Sequence, residues 1–276
     1  MRLQPNLALA VLQTGNRNAM AKSDFNSLGR FSSRVGDYVR YRPSYPAALA
    51  DFLKERASLG PGVVVADVGS GTGIFTRLLL QAGAEVFAVE PNDDMRAAAE
   101  AEFGAELRFT SVKGTAEVTG LKDASVALAT CAQAFHWFDP VKTRHEFRRI
   151  LVPDGWCALV WNTAVRRGEF AEGYEEIKGS FGTDFQEIRH ENIKASERFG
   201  AFFGPGGWKR HVFENFQVLD WDGLKGRLMS SSYAPAAGQP GHEPMIAALR
   251  ALFERCQRGG TVRMEYETEL YLGRFS

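Results

Sequence analysis

Asp67, Gly69, Gly71, Gly73 and Glu90 have the types and the spacing to hold one particular kind of ligand. The first four lie in the run Val63-Val-Val-Ala-Asp67-Val-Gly69-Ser-Gly71-Thr-Gly73, and Glu90 ends the next apolar run. Glycine has no Cβ, so the backbone N–H groups of such a turn can approach a ligand closely. An acid at the tip of the following strand accepts hydrogen bonds from a ribose diol. The pattern predicts a pocket for a cofactor with an adenosine half. Dinucleotide pockets use G-x-G-x-x-G and turn a helix N-terminus toward a pyrophosphate. Here the spacing is G-x-G-x-G, and Asp67 stands where it would repel phosphate. S-adenosylmethionine has no phosphate and carries a cationic sulfonium and ammonium, which an acid at Asp67 favours. Two alternatives stay open, an NAD-dependent oxidoreductase and a non-catalytic S-adenosylmethionine-binding protein.

These residues need strands and helices to position them. Val63–Val68 is a continuous apolar run, as in a strand buried on both faces of a parallel sheet. A helix is expected from Ile74 to Gln81 with Gly83 just past its end, then a strand over Glu85–Val89. Asn92 is placed to cap the next helix, with Asp93 and Asp94 in its first turn. Further strands are expected at Leu107–Val112, Val126–Thr130 and Trp156–Trp161, with a helix ending near Pro153-Asp154-Gly155. Alternation at this spacing argues for βαβ units and a parallel sheet. The period then fails over 163–207, a stretch rich in Phe and Trp. A strand near Val212–Leu219, a helix over Pro244–Arg258 and a strand over Val262–Leu272 close the chain.

The bulk numbers exclude some classes. The 276 residues are enough for a core that needs no disulfide or metal staple. Lys plus Arg and Asp plus Glu both number 33; this balance argues against a nucleic-acid surface, which carries a basic excess. The three cysteines, Cys131, Cys157 and Cys256, lack metal or redox spacing and imply a reducing compartment, so the chain is expected to be cytoplasmic with no metal. No apolar run is long enough to span a membrane. Residues 1–25 are expected to be a disordered extension, and 26–276 a single domain with a lid insertion over about 163–207.

Four stretches together resemble the class I S-adenosylmethionine-dependent methyltransferases. They are Tyr38-x-x-x-Arg42-Pro43, Asp67 to Gly73, Glu90-Pro91-Asn92-x-x-Met95, and Phe147-Arg-Arg-Ile-Leu-Val-Pro-Asp154-Gly155. The likeness is greatest to the small-molecule group that includes ubiquinone/menaquinone-biosynthesis and trans-aconitate methyltransferases, in which the Ala134-Phe135-His136-Trp137-Phe138 loop is also typical. Asp154 departs from the family pattern, which usually has glycine there. The resemblance implies an α/β, Rossmann-like, mostly parallel seven-stranded sheet whose last two strands form a hairpin, the last one antiparallel, plus a helical and aromatic lid.

The resemblance also implies roles. Asp67 serves the methionine end of S-adenosylmethionine through water, and Glu90 its ribose. Pro91 and Met95 flank the adenine. Thr115 and Ala116 lie where the family reads the adenine edge, Thr115 replacing the usual acid. Gln133 follows the fourth strand, where a backbone carbonyl takes the ammonium. Tyr38 and Arg42 close over the cofactor, Arg42 as partner for its carboxylate. His136 faces the transferable methyl and is the candidate general base. Transfer is an in-line displacement that needs no triad or metal, so alignment in a dry site is the main task. The expected partner is a small, partly apolar acceptor, with no nucleic acid and no membrane.

Overall fold

The computed structural model describes residues 40–182, 198–204, 206–231 and 233–275. The expected extension over 1–25, Tyr38, and the 183–197 part of the expected lid lie outside the described residues.

Five strands follow the apolar runs: β1 (Val64–Val68), β2 (Glu85–Val89), β3 (Phe109–Val112), β4 (Val126–Ala132) and β5 (Leu151–Ala164). They pair in parallel, and β6 (Trp208–Leu219) and β7 (Val262–Gly273) extend the sheet to the order β3-β2-β1-β4-β5-β7-β6. β7 runs antiparallel to both β5 and β6, as the resemblance implies. The β6–β7 pair is not a simple hairpin, however. α6 (Trp221–Met229) and α7 (His242–Cys256) intervene between the two strands.

β1 and β4 are adjacent at the centre, with β2 and β3 on one side and β5 on the other. The order reverses at that point, and open α/β sheets bind ligands in the crevice outside the strand ends there. β5 is longer than its apolar run because its start also pairs with β4 across a register shift between Val126 and Leu128. Asp154 accommodates that irregularity in a left-handed conformation, φ 62°.

Alternate side chains feed two cores. α1 (Ala47–Ala57), α2 (Ile74–Gln81) and α3 (Asp93–Phe103) cover one face, burying Leu49, Leu53, Phe75, Leu79 and Phe103 against Val65, Val86, Leu128 and Leu270. α4 (Pro140–Ile150) and the helical residues 198–203 cover the other, where Phe147, Ile150, Phe199 and Phe202 pack on Ala66, Cys131, Phe135 and Trp161. Phe199, Phe202 and Phe203 are thus core residues. A third cluster joins α5 (Glu169–Phe181), α6 and α7 with Val262, Met264 and Tyr266 at the start of β7. Since β7 is antiparallel, its start lies at the same edge of the sheet as the ends of the parallel strands. No described helix is long and apolar enough to cross a membrane.

Candidate active site

The turn after β1 closes through Gly73 N–H donating to the Ser70 carbonyl, while Gly69 and Ser70 N–H both donate to the Val89 carbonyl of β2. Gly69, Gly71 and Gly73 all have positive φ, at 70°, 57° and 86°. Their surroundings differ. A Cβ on Gly73 would lie 2.5 Å from the Phe103 ring, and one on Gly69 would lie 2.7 Å from the Ala134 Cβ and 3.0 Å from Phe138. A Cβ on Gly71 would meet nothing within 4 Å. So Gly73 seats α3 against the turn and Gly69 brings the turn against the His136 loop. Gly71 alone presents open backbone.

Glu90 leaves the tip of β2 and is buried. Its Oε2 accepts from Gly71 N–H and its Oε1 from Asn92 N–H, both at 2.9 Å. One acid therefore ties the glycine turn to the cap of α3. Burial raises its pKa, against those two backbone donors. Each carboxylate oxygen keeps a second lone pair, so the group still accepts from hydroxyls. Asn92 caps α3 by accepting from Met95 N–H, which fixes Pro91 and Met95 beside Glu90. Met95 is buried and Pro91 is half-buried.

Asp67 lies beneath the turn and is fully buried. Thr76 Oγ1 donates to its Oδ2 at 2.7 Å and Thr130 Oγ1 to its Oδ1 at 3.0 Å. The Thr76 backbone N–H also reaches it, so the acid caps α2 as well. Burial lifts its pKa to about 6 despite these donors, and the nearby Glu90 adds to the rise. Two residues of the turn escape a search for charged or glycine positions. Ser70 Oγ and Thr72 Oγ1 are buried with no hydrogen-bond partner. Orphaned hydroxyls beside an open glycine backbone and two carboxylates fit a polar cationic ligand.

After β4 the chain turns sharply at Gln133, a non-glycine residue at φ 59°. Gln133 N–H donates to the Val160 carbonyl and its Nε2 to the Asn162 carbonyl. His136 follows in a short 3-10 turn over Phe135–Trp137. Its backbone carbonyl accepts from Arg198, which also donates to the Phe138 carbonyl. The ring Nδ1 is buried and has no partner. Burial, then the Arg198 charge, hold the imidazole near pKa 4, so it is neutral at physiological pH.

Ala116 is buried in the apolar cluster that contains Val89. Thr115 is exposed, and its hydroxyl accepts from Val118 N–H to close a local turn. Arg42 reaches α6. It is half-buried and donates to the Ser230 carbonyl after α6 at 3.0 Å.

Known proteins carry the same architecture. Residues 66–159, from β1 through β5, match the model of the methyltransferase domain family. An uncharacterized methyltransferase of Mycobacterium tuberculosis is 40% identical over 203 residues, covering 74% of this chain and 76% of that protein. An uncharacterized methyltransferase-like protein of Schizosaccharomyces pombe is 32% identical over 159 residues, covering 57% of this chain and 60% of the other. A solved structure provisionally named a type II methyltransferase, from Anaeromyxobacter dehalogenans, superimposes with a TM-score of 0.61 at 26% identity, covering 85% of this chain and 98% of that one. The glycine turn, its two acids and this extent of likeness agree: the chain belongs to the class I S-adenosylmethionine-dependent methyltransferase family.

Proposed function

We propose that this protein transfers a methyl group from S-adenosylmethionine to an O, N or C atom of a small, partly apolar acceptor. The observation that carries the reading is Glu90, whose two oxygens are aligned by Gly71 and Asn92 N–H groups next to the one open position of the glycine turn. A dinucleotide pyrophosphate at that turn would meet two buried acids, Asp67 and Glu90.

When bound, S-adenosylmethionine supplies a methyl already activated on sulfonium, open to in-line displacement. The chain's own residues hold and orient. Glu90 accepts from the ribose hydroxyls, and Gly71 admits the ligand to the backbone. Pro91 and Met95 flank the adenine, and the Thr115-Ala116 backbone lies at its edge. Asp67 acts from below through its charge, since three threonine donors already hold its oxygens. The Gln133 carbonyl and Arg42 are the proposed holders of the amino-acid end, completed by Tyr38.

His136 is the proposed acceptor-side group. Protonating an imidazole of pKa near 4 at neutral pH costs about 4 kcal/mol. It therefore works better as a neutral hydrogen-bond acceptor that aligns an O–H or N–H than as a base that keeps a proton. Alignment itself is worth about 7–11 kcal/mol in such reactions. The cluster of α5, α6 and α7 is the proposed cap over the acceptor.

Calorimetric titration tests the reading, with S-adenosylmethionine and NAD as the two ligands. Binding of the first and not the second is expected, followed by S-adenosylhomocysteine release with members of a panel of small acids, quinols and phenols. Binding of NAD alone would overturn it.

A further inference from the structure

The cap carries a cation that the cofactor site does not use. Arg227 lies on α6, and among the described residues no carboxylate pairs with it. The groups acting on it are the phenols of Tyr266, Tyr174 and Tyr233. Its Nε donates to Tyr266 Oη at 3.3 Å, and Tyr266 Oη in turn donates to Gln217 Oε1 at 2.8 Å. Tyr174 on α5 is buried, and its hydroxyl has no partner. Burial keeps that phenol far from ionising, with Arg227 and Arg42 pulling the other way, so it stays a neutral donor. An arginine is charged at any relevant pH. Arg227 is half-buried and Tyr174 keeps a buried hydroxyl without a partner, while the neighbouring Glu175 is taken up by Lys178 and Arg166, so the cation and the phenol have no acid of their own among the described residues.

The cluster also connects to the cofactor crevice. Gln217 Nε2 donates to the Tyr41 carbonyl, Asn215 Nδ2 to the Ser44 carbonyl, and Asn162 Nδ2 to the same Ser44 carbonyl. Asn162 in turn accepts from Gln133 at the turn after β4. Hydrogen bonds joined through the chain segment 41–44 thus link the His136 loop to Arg227.

We propose that Arg227 and Tyr174 form the anion-recognition end of the acceptor pocket, and that the acceptor is a small carboxylic acid. The proposal rests on the methyltransferase reading and names the substrate class of that same site. The donor set matches a carboxylate: a guanidinium fork for two oxygens and one phenol beside it. A phosphate monoester has three oxygens and nearly two charges and would leave donors wanting.

Thermal-shift titrations test it in the full chain saturated with S-adenosylhomocysteine. The probes are benzoate and succinate, their primary amides, and phenyl phosphate. The acids are expected to stabilise the protein at concentrations at least tenfold lower than the amides or the phosphate. Arg227→Gln should weaken acid binding at least tenfold, and Tyr174→Phe several-fold. Both should leave S-adenosylmethionine affinity within about twofold of wild type by calorimetry, which also reports that they fold. Equal effects of acids and amides, preference for the phosphate, or an Arg227→Gln variant that binds cofactor and acids as wild type does would each overturn the proposal. Failure of S-adenosylmethionine to bind the wild type would instead overturn the methyltransferase reading, independently of the acid series.

Discussion

Replacing Asp67 by Asn should stabilise the protein and weaken its cofactor binding, two effects of one buried charge. The carboxylate is enclosed by Thr76 and Thr130, and burial lifts its pKa from 3.8 to about 6. At 1.36 kcal/mol per unit, a shift of about 2 units means that ionised Asp67 costs the folded state about 3 kcal/mol at neutral pH. The sign follows from proton counting. The folded state holds this proton more tightly than the unfolded one, so the stabilisation is fully present below 3.8 and is lost as pH rises through about 6. Asn keeps the shape, and the threonine hydroxyls can rotate to meet an amide. The variant should therefore melt with the wild type near pH 4 and roughly 4–8 °C above it at neutral pH. Affinity moves the other way. A sulfonium and an ammonium above the acid favour its ionised form, so binding expels a proton. Wild-type affinity for S-adenosylmethionine should climb with pH to about 6 and then level, by at most about 100-fold for a 2-unit shift. Glu90, also raised, acts in the same direction. S-adenosylhomocysteine lacks the sulfonium charge and should depend less on pH. Calorimetry in two buffers of different ionisation enthalpy, from about pH 5 to 7, reads affinity and proton release together. The Asn variant should bind about tenfold or more weakly at neutral pH, with a smaller slope. Wild-type affinity that ignores pH, or a variant that is less stable at neutral pH and binds normally, would refute the reasoning.

The glycines of the turn should separate by role: Gly71→Ala puts its Cβ into open space, so it should cost only about 1–2 kcal/mol of stability for the left-handed backbone yet abolish S-adenosylmethionine binding. Gly73→Ala drives into Phe103 and should cost about 3 kcal/mol or more, read by denaturant unfolding. His136 is neutral above about pH 4, so kcat at saturating substrates should show no histidine step between about pH 6 and 8; a step near 6.5 that vanishes in His136→Gln would show an ordinary imidazole. Asp154→Gly should raise stability by up to about 1 kcal/mol, because Asp154 holds φ 62° where glycine is free of strain; a loss measured by denaturant unfolding would show that its side chain contributes more than its backbone costs.

How far the sequence could be read follows from how local each signal is. Val64–Val68 and Glu85–Val89 are apolar runs bounded by turns, and both strands fall where the runs predict. Asn92 was readable as a cap because capping is a three-residue interaction. The glycine motif was readable as a unit, but its division of labour was not. Gly73 is required by Phe103, thirty residues along the chain, and Gly69 by Ala134 and Phe138. Of the threonines that hold Asp67, Thr76 lies nine residues on in the next helix and Thr130 sixty-three residues on in β4. α6 was missed entirely. Its sequence, Trp221-Asp-Gly-Leu-Lys-Gly-Arg-Leu-Met229, contains two glycines, which disfavour an isolated helix. A start signal was present in Asp220, whose side chain accepts from Gly223 N–H, followed by Leu224 and Leu228 one turn apart. What holds the helix is tertiary: both leucines are fully buried, and Gly226 lies flat against the Tyr41 ring, where any Cβ would collide.

That contact bears on why a segment so rich in arginine, tyrosine and proline precedes the first helix. Residues 41–46 join α6 to the ends of β5 and β6. The Tyr41 ring packs on Gly226, the Tyr41 carbonyl accepts from Gln217, Arg42 holds the Ser230 carbonyl, and the Ser44 carbonyl accepts from Asn162 and Asn215. Pro43 and Pro46 fix the backbone so that these carbonyls face the sheet rather than closing a helix of their own. The segment touches α6, the edge strand β6 and the end of β5, and Asn162 links it to the turn that carries His136. Any ligand that pulls on Arg42 from the cofactor side must therefore work against the bond to Ser230 that anchors the end of α6. With Arg42 in its proposed role, cofactor binding and the position of the proposed cap would share one set of hydrogen bonds, and a fold shared by many methyltransferases could in that way bind a common cofactor and still shape its own acceptor pocket.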